Sequence, residues 1–470
     1  MERREAQRSN PNHDTSVGHR TDTLKSPTRK EFKLRSQLNQ WLRIGLVAKD
    51  KQVRFNNLLT RFNEESLREA YRALDGSKAR GIDRMTKQEY GRKLDENIAS
   101  LLERIHLGSY RPQSKRRVMI PKANGKERPI AISCFEDKLV EWVISKVLNT
   151  IYEPLFIKTS FGFREKKGAH GAIQTIATML SKGKYPHVVE IDFAKFFDTI
   201  NHRRMVLILQ KRIADRRFMG LIARFLQVGI FEEQTRNTTT STFGAPQGSI
   251  MSPVLANVFL TECLDQWFMD GYSQSGAVIV RYADDAVFAF KTELEATSFK
   301  IALKARIELY GLELNEEKTK LIKMGPKDGN AFNFLGFTFF WGHAFKSKRK
   351  QLKVKTTRET LRKKLSEYSE WIKKFRSTMP INTLWKITAA KLRGHYAYYG
   401  FVTNCAKLNF FYRQTIWMLF RGLNRKSQKG CYSWKGFSQR LQFLPLPTPP
   451  LTQALKMLDL NSIYSRRWAY

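Results

Sequence analysis

Two adjacent carboxylates close the stretch Tyr282-Ala283-Asp284-Asp285. Apolar, β-rich runs at 278–281 and 286–290 flank it, a pattern that predicts a strand–turn–strand hairpin. Like charges at the tip of a hairpin repel each other, and a divalent cation relieves that repulsion. Hard oxygen ligands without nearby Cys or His favour Mg²⁺, with Mn²⁺ as the alternative, over zinc. An acidic turn that only keeps the hairpin soluble is the competing interpretation of these four residues.

Two further motifs place polar groups at the ends of predicted elements. A strand is predicted over residues 188–193, and it runs through Asp192 into Phe196-Phe197-Asp198. The segment 244–249, Gly-Ala-Pro-Gln-Gly-Ser, is predicted to form a loop that opens a helix. Asp192 and Asp284 are distant in sequence, and they would converge if their strands were neighbours in one sheet.

A basic hairpin is predicted before these motifs. An Asn-Gly pair at 124 and 125 separates β-type runs at 116–121 and 127–130. The hairpin carries Lys122, Lys126 and Arg128. Exposed cations on a hairpin usually form a solvated face. The alternative is that they hold a triphosphate, for which Arg is a bidentate donor and Lys a point charge.

Positive charge dominates the composition. The 470 residues include 83 Lys and Arg against 43 Asp and Glu, which gives a formal net charge of +40. So large an excess indicates a polyanionic partner, and nucleic acid is the leading candidate. A membrane surface is the rival partner, but no apolar run approaches the roughly 18 residues of a spanning helix. No membrane association is therefore expected.

The remaining sequence indicates a cytoplasmic protein with a helical C-terminal region. No secretory signal is visible, and the four cysteines are too far apart to form zinc-ligand pairs. Helical spacing is predicted from about residue 34 and again over 65–74, and a short strand over 334–339. After Trp341 a basic run leads into a pattern that is helical to about Leu423. Aromatic and basic residues alternate at 393–399, which suits stacking and phosphate contact on RNA, although a helical core with a basic rim is an equal alternative.

These motifs, taken together and in order, resemble the reverse transcriptases encoded by bacterial group II introns. Asp192 with Phe196-Phe197-Asp198, the loop 244–249 and the tetrad 282–285 match the three central palm motifs of that family. The basic hairpin and the segment 160–164, Ser-Phe-Gly-Phe-Arg, support the match. The resemblance implies an α+β fold: a right-hand polymerase with fingers and an antiparallel palm sheet, followed by a mainly α-helical thumb or maturase domain.

The resemblance also implies a division of the chain. Residues 1–30 are predicted to be a disordered leader, because they contain almost no large apolar residues. The expected segments are then a helical extension (31–75), fingers and palm (76–345), a helical RNA-binding thumb (346–450) and a tail (451–470).

In such an enzyme two metal ions catalyse the attack of a 3′-hydroxyl on a nucleotide. The resemblance implies that Asp192 and Asp284 bridge the two metal ions and that the carbonyl of Phe193 is another ligand. It implies that Asp285 supports the metal site. It makes Phe197 a steric gate against ribose, while Lys318 or Lys320 protonates the pyrophosphate. The implied substrate-binding residues are Lys122, Arg128, Phe197 and Gln247. The implied RNA-binding residues are Arg164, Arg393, Tyr398, Arg425 and Lys426.

The expected activity is RNA-directed DNA synthesis from dNTPs on an RNA template and a DNA primer, with binding of group II intron RNA to assist splicing and retromobility. Alternatives are a domesticated relative in DNA repair or phage defence, and an RNA-binding maturase without polymerase activity. An RNA-dependent RNA polymerase is disfavoured because Phe197 would clash with ribonucleotides. The sequence does not indicate the oligomeric state.

Overall fold

The fold is of the mixed α+β class. The computed structural model describes residues 39–121, 127–232, 235–240, 242–344, 348–426 and 432–449. The predicted leader (1–30) and tail (451–470) lie outside these ranges. The strands are β1 (Lys115–Pro121), β2 (Glu127–Ile132), β3 (His187–Ile191), β4 (Ile230–Glu232), β5 (Asn237–Thr239), β6 (Val278–Tyr282), β7 (Asp285–Phe290), β8 (Lys320–Lys323), β9 (Ala331–Phe334), β10 (Phe337–His343) and β11 (Lys350–Thr356).

Helices make up most of the rest of the described chain. The first eight are α1 (Gln40–Ala48), α2 (Glu64–Ala73), α3 (Lys87–Gly91), α4 (Leu94–Leu107), α5 (Phe135–Tyr152), α6 (Ala169–Ser181), α7 (Phe196–Thr199) and α8 (His202–Gln210). The others are α9 (Arg216–Gln227), α10 (Ser252–Leu260), α11 (Gln266–Tyr272), α12 (Glu293–Glu308), α13 (Arg358–Phe375), α14 (Ile381–Tyr399), α15 (Cys405–Asn424) and α16 (Trp434–Phe443). A π-helical turn, Thr261–Asp265, joins α10 to α11.

Three sheets organise the strands. The central sheet has the order β6-β7-β3-β8, and all its pairs are antiparallel, as predicted for the palm. The second sheet, β2-β1-β4-β5, contains the predicted basic hairpin β1–β2 and one parallel pair, β1–β4. The third sheet, β11-β10-β9, is antiparallel.

The central sheet separates two apolar cores, because side chains alternate between the two faces of a strand. One face joins the larger core with the helices before it in the chain. Its residues include Val189, Ile191, Ile279 and Phe288. The other face joins a second core with the third sheet and the C-terminal helices. Its residues include Val188, Val280, Val287 and Ala289. Both faces of the sheet are therefore buried.

The N-terminal helices belong to the larger core. Trp41, Leu58 and Phe62 are buried there with residues of α5. Helix α2 agrees with the predicted helix at 65–74, and it begins with a capping box between Asn63 and Ser66. The described part of the predicted extension, residues 39–75, therefore packs into the same core as the segment that follows it.

The predicted strand over 334–339 is wrong, because two strands meet there. Leu335 and Gly336 form a tight turn between β9 and β10, with φ angles of +50° and +79°. Glycine relieves the left-handed backbone at the second position, whereas Leu335 is strained. The hydroxyl of Tyr398 donates to the Leu335 carbonyl (3.2 Å), and the Thr357 amide donates to the Gly336 carbonyl (3.0 Å). The buried positions shift by one residue at the turn, from Phe332 and Phe334 to Phe337 and Phe339, but the segment stays largely apolar, and this concealed the break.

The C-terminal region is helical from Arg358, and the predicted helical pattern up to about Leu423 is confirmed by α13, α14 and α15. The predicted boundary between residues 345 and 346 falls inside the β10–β11 hairpin, so one sheet includes both sides of it. Within the described residues, no helix is both long enough and apolar enough to span a bilayer.

A buried histidine in the C-terminal region predicts a dependence of stability on pH. His395 is 7% exposed, its ring stacks on Phe411 at 3.7 Å, and no hydrogen-bond partner reaches its Nε2 among the described residues. Burial, with a further contribution from Lys364, lowers the pKa of His395 from 6.5 to about 4. Between these two values the unfolded chain binds the extra proton, so the free energy of unfolding falls as the pH falls from 6.5 to 4. We expect His395→Phe to remove up to about 3 kcal/mol of that fall.

Denaturant unfolding of both chains at several pH values measures this difference. His106→Phe, at an exposed position on α4, is the control and should follow the wild type. Equal pH slopes for the wild type and His395→Phe would contradict the prediction.

Candidate active site

The hairpin predicted around the two adjacent aspartates is confirmed. Strands β6 and β7 pair up to Tyr282 and Asp285, which leaves Ala283 and Asp284 as a two-residue turn. Ala283 has a φ of +57°, an unfavourable value for a residue with a Cβ. The strained turn therefore presents Asp284 at its tip and Asp285 at the start of β7.

Asp192 comes to the same place through the register of the central sheet. Strand β3 pairs with β7 in an antiparallel register that ends with Ile191 opposite Ala286. The next step of that register sets Asp192 opposite Asp285. The sequence predicted that Asp192 and Asp284 converge if their strands are neighbours, and the sheet order gives β7 as the neighbour of both β3 and β6.

The segment after α12 anchors Asp192. The amide of Asn315 donates to the Asp192 carbonyl (2.8 Å), and Phe193 forms a bridge with Leu314. Lys318 Nζ lies 2.8 Å from Asp192 Oδ2, and this hydrogen bond raises the pKa of Lys318. Of the two lysines that the sequence left open as proton donors, Lys318 therefore contacts a candidate metal ligand, while Lys320 pairs with Glu190 across the strands.

Four carboxylates share this end of the sheet, and the sequence reasoning missed one of them. Burial, followed by the charges of Asp284 and Asp192, raises the pKa of Asp285 to about 7. Burial also raises the pKa of Asp284, and Asp192 adds to this. Glu190 is the missed residue: burial and then Asp285 raise its pKa to about 7. Glu190 precedes Asp192 by two positions, so strand alternation alone would have placed both side chains on one face.

These carboxylates fit a hard divalent cation by their chemistry. All of them supply oxygen ligands, and a bound divalent cation would relieve the electrostatic repulsion between them. No group of three or more His, Cys, Asp or Glu side chains in the described part of the chain has the arrangement of a preformed metal site. The identity of the ligands is therefore a proposal from chemistry and register.

A buried network beneath the turn was also missed. Arg281 and Asp265 are both 0% exposed, and their two hydrogen bonds measure 2.7 and 2.5 Å. Arg281 also donates to the Ala283 carbonyl (2.9 Å) and to Asn257 (3.0 Å). A charged residue inside an apolar strand was a signal that a partner exists. That partner lies on a π-helical turn, whose geometry the sequence does not disclose.

Arg128 and Gln247, both predicted to bind substrate, contact each other. Arg128 Nε donates to Gln247 Oε1 (2.6 Å), and the Ala131 amide donates to the Gln247 carbonyl (2.7 Å). Gly248 follows at a φ of +109°, where a Cβ would lie 2.6 Å from the Ala131 carbonyl oxygen. Only glycine allows the loop to lie this close to β2. Arg128 is near enough to Asp284 to lower its pKa in opposition to burial. Lys122 lies outside the described residues.

Phe197 lies beside the same loop but not in a strand. Lys195 has a left-handed backbone (φ +50°) that ends the extended segment, and Phe196 and Phe197 begin the one-turn helix α7. Phe196 is buried, and the helical turn directs it inward. The Ala245 amide donates to the Phe197 carbonyl (2.7 Å), and the Phe197 ring is half-buried.

The sequence matches the family model described as reverse transcriptase (RNA-dependent DNA polymerase) over residues 120–339. This range contains every candidate catalytic and substrate-binding residue.

One relative aligns over most of its own length. The chain is 30% identical over 334 residues to Protein YkfC of Escherichia coli strain K12, which covers 62% of the chain and 84% of the relative. This chain belongs to the reverse transcriptase family. The enzyme class predicted from the sequence, an RNA-directed DNA polymerase, is thereby confirmed.

Relatives of the reverse transcriptase are also encoded in introns. The group II intron-encoded protein LtrA of Lactococcus lactis subsp. cremoris is 33% identical over 232 residues, which cover 47% of this chain and 37% of LtrA. An uncharacterized 91 kDa protein in the cob intron of Schizosaccharomyces pombe is 39% identical over 152 residues, 18% of its length. The predicted resemblance to group II intron reverse transcriptases is confirmed.

Arg164 of the reverse transcriptase does not suit its predicted role in RNA binding. Its side chain is 4% exposed and forms a bidentate pair with Glu153, with a shortest distance of 2.6 Å. It also donates to the carbonyls of Ile157 (2.8 Å) and Ser160 (2.7 Å). These bonds occupy the guanidinium, so we correct the assignment: Arg164 fixes the loop before α6.

The other predicted RNA-binding residues differ in their exposure. Tyr398 is half-buried, and its hydroxyl donates a hydrogen bond to the Leu335 carbonyl in the β9–β10 turn. Lys426 donates to the Met379 carbonyl (2.5 Å). Arg393 is exposed on α14, and Arg425 is exposed just after α15. Of these four side chains, Arg393 and Arg425 are therefore the two that are exposed to a partner.

Proposed function

We propose that this reverse transcriptase synthesises DNA on an RNA template at the site formed by Asp192, Asp284 and Asp285. The observation that supports this most strongly is the register that sets Asp192 beside the hairpin turn. Arg128 lies near Asp284 and is hydrogen-bonded to Gln247, which supports a nucleotide site beside these carboxylates. RNA template, DNA primer and dNTPs are the proposed substrates.

We further propose Mg²⁺ as the cofactor, with Mn²⁺ as an alternative. Asp192, Asp284 and Asp285 are the proposed ligands, with the Phe193 carbonyl as another oxygen. Two such ions would activate the 3′-hydroxyl and neutralise the leaving pyrophosphate.

The residues of the chain contribute binding and proton transfer. Arg128 offers a bidentate donor to the triphosphate. Its hydrogen bond to Gln247 would hold the Gln247 side chain toward the nascent base pair. Lys318 is cationic and lies beside Asp192, so it is placed to donate a proton to the pyrophosphate. Phe197 lies next to the loop that carries Gln247, where its ring would lie under the sugar.

Phe197→Ala should therefore increase the use of ribonucleotides. Without the ring, a 2′-hydroxyl meets no clash, and we expect discrimination between dNTP and rNTP to fall by roughly 10–200-fold. Single-nucleotide incorporation with each substrate measures the ratio of kcat/KM values. Phe197→Tyr keeps the ring and should keep the discrimination. An unchanged ratio in an active Phe197→Ala enzyme would remove the gate assignment.

The protein is also proposed to bind group II intron RNA and to assist splicing and retromobility. The net charge of +40 and the intron-encoded relatives support this role. Exposed Arg393 and Arg425 are the proposed contacts in the C-terminal region.

Primer extension tests the polymerase function. Purified protein, dNTPs and Mg²⁺ are supplied with a DNA primer annealed to RNA, and the same primer on a DNA template is the comparison. We expect full-length products on RNA. A folded protein that binds RNA tightly but extends no primer would support the maturase-only alternative.

A further inference from the structure

A basic cleft of about 380 Å³ lies between α13 and α15, at the ends of both helices. Lys373 and Arg376 line one side, and Arg421 and Arg425 line the other. The helices approach each other closely at its floor, because a Cβ on Gly422 would lie 2.6 Å from Ile372 Cγ1. The cleft is distinct from the aspartate site on the central sheet.

The positive charge in this cleft exceeds the partial negative charge of the two helix ends. None of the four cations has an ion-pair partner among the described residues, and no Asp or Glu lines the cleft. A helix C-terminus carries a partial charge of about −0.5, so two helix ends offset about one of the four positive charges. About three remain, and a polyanion is the partner that they fit.

An exposed aromatic ring lies in the same cleft. Trp417 is 47% exposed, and the Arg421 guanidinium lies 5.9 Å from its ring centroid. Trp417, Arg421 and Arg425 follow each other at intervals of four residues, so they form one stripe along the helix. A flat ring beside cations suits unstacked bases on a phosphate backbone, whereas the bases of a duplex are not accessible for stacking.

We propose that this cleft binds single-stranded RNA, with one base stacked on Trp417 and the adjacent phosphates held by Arg376, Arg421 and Arg425. The inference rests on the proposed RNA-binding function. It adds the location of a binding site and the expectation that the RNA bound there is single-stranded. Stacking and phosphate contact do not read the 2′-hydroxyl, so RNA is chosen because it is the nucleic acid that the protein is proposed to bind.

The test uses the full chain and a fluorescent, unstructured RNA of about ten nucleotides, with affinity measured by anisotropy over a salt series. Trp417→Ala should weaken binding about tenfold, and Trp417→Phe should retain most of it. Arg421→Ala with Arg425→Ala should reduce the slope of log K against log salt by about 1.4, since each lost phosphate contact on a single strand removes about 0.7.

Matched controls change residues on the same helices outside the cleft. Phe410→Ala removes another exposed aromatic ring of α15, and Arg362→Ala with Lys374→Ala removes two exposed charges of α13. Both controls should bind the oligonucleotide more tightly than the corresponding cleft variants. Oligonucleotide binding by Trp417→Ala at wild-type affinity would overturn the proposal. So would an equal loss of binding to an RNA duplex, because the occupant would then not be single-stranded.

Primer extension on a preannealed substrate separates this proposal from the proposed function. If the wild type extends primers but Trp417→Ala binds the oligonucleotide normally, the cleft assignment alone is wrong. If the wild type neither binds RNA nor extends primers, the proposed function itself is wrong.

Discussion

Asp284→Ala is expected to abolish RNA-templated DNA synthesis while the protein remains folded. In the proposed site Asp284 would be a ligand that both catalytic ions share, so its loss should remove several kcal/mol of transition-state stabilisation. A loss of about 4 kcal/mol corresponds to a rate about a thousandfold lower. The measurement is single-turnover extension with Mg²⁺, because a single turnover excludes slow product release from the rate.

Thermal stability distinguishes this effect from misfolding. Asp284 shares the end of the sheet with other half-buried carboxylates, so removing one charge relieves repulsion. Without Mg²⁺, the melting temperature of Asp284→Ala should equal or exceed that of the wild type. Asp270→Ala, which removes an exposed carboxylate on α11, should leave the rate unchanged. Substantial synthesis by Asp284→Ala would remove this residue from the metal site.

Asp265→Ala should destabilise the protein by about 3–5 kcal/mol, because it leaves Arg281 as an unpaired buried charge. Arg281 also holds the Ala283 carbonyl, so the strained turn before Asp284 should loosen. We therefore expect lower polymerase activity even below the unfolding temperature. Denaturant unfolding and primer extension measure the two effects on the same sample.

A double variant separates the effect of the unpaired buried charge from the effect of the lost side-chain volume. Asp265→Leu with Arg281→Met replaces the pair by apolar groups of similar size and should recover much of the stability. Activity should not recover equally, because methionine cannot donate to Ala283. Glu316→Ala breaks the exposed pair with Lys304 and should leave the melting temperature unchanged. A melting temperature for Asp265→Ala equal to that of the wild type would contradict the role of the pair.

The sequence predicted the parts of the site that depend on local patterns. Strand periodicity and a small polar turn were sufficient to place Asp284 at a hairpin tip, and motif order linked it to Asp192. It did not predict contacts made between distant segments. Arg164 is of a residue type common in RNA contacts, but it is paired with Glu153. Asp265 lies on a π-helical turn and pairs with Arg281, which is distant in sequence. Side chains of this kind are assigned by tertiary packing, which periodicity does not encode.

The burial of both faces of the central sheet constrains how such a chain can evolve. The strands that carry the aspartates contribute one set of side chains to each core, so the two cores share this sheet. Deleting the C-terminal helices would expose apolar side chains of the third sheet, such as Phe337, which packs on Tyr398, Tyr399 and Phe401. A lineage that no longer needed the C-terminal helices would still have to retain them for solubility, and one that no longer needed polymerisation would retain the sheet. Point substitutions, rather than loss of a segment, are then the accessible route by which either activity disappears.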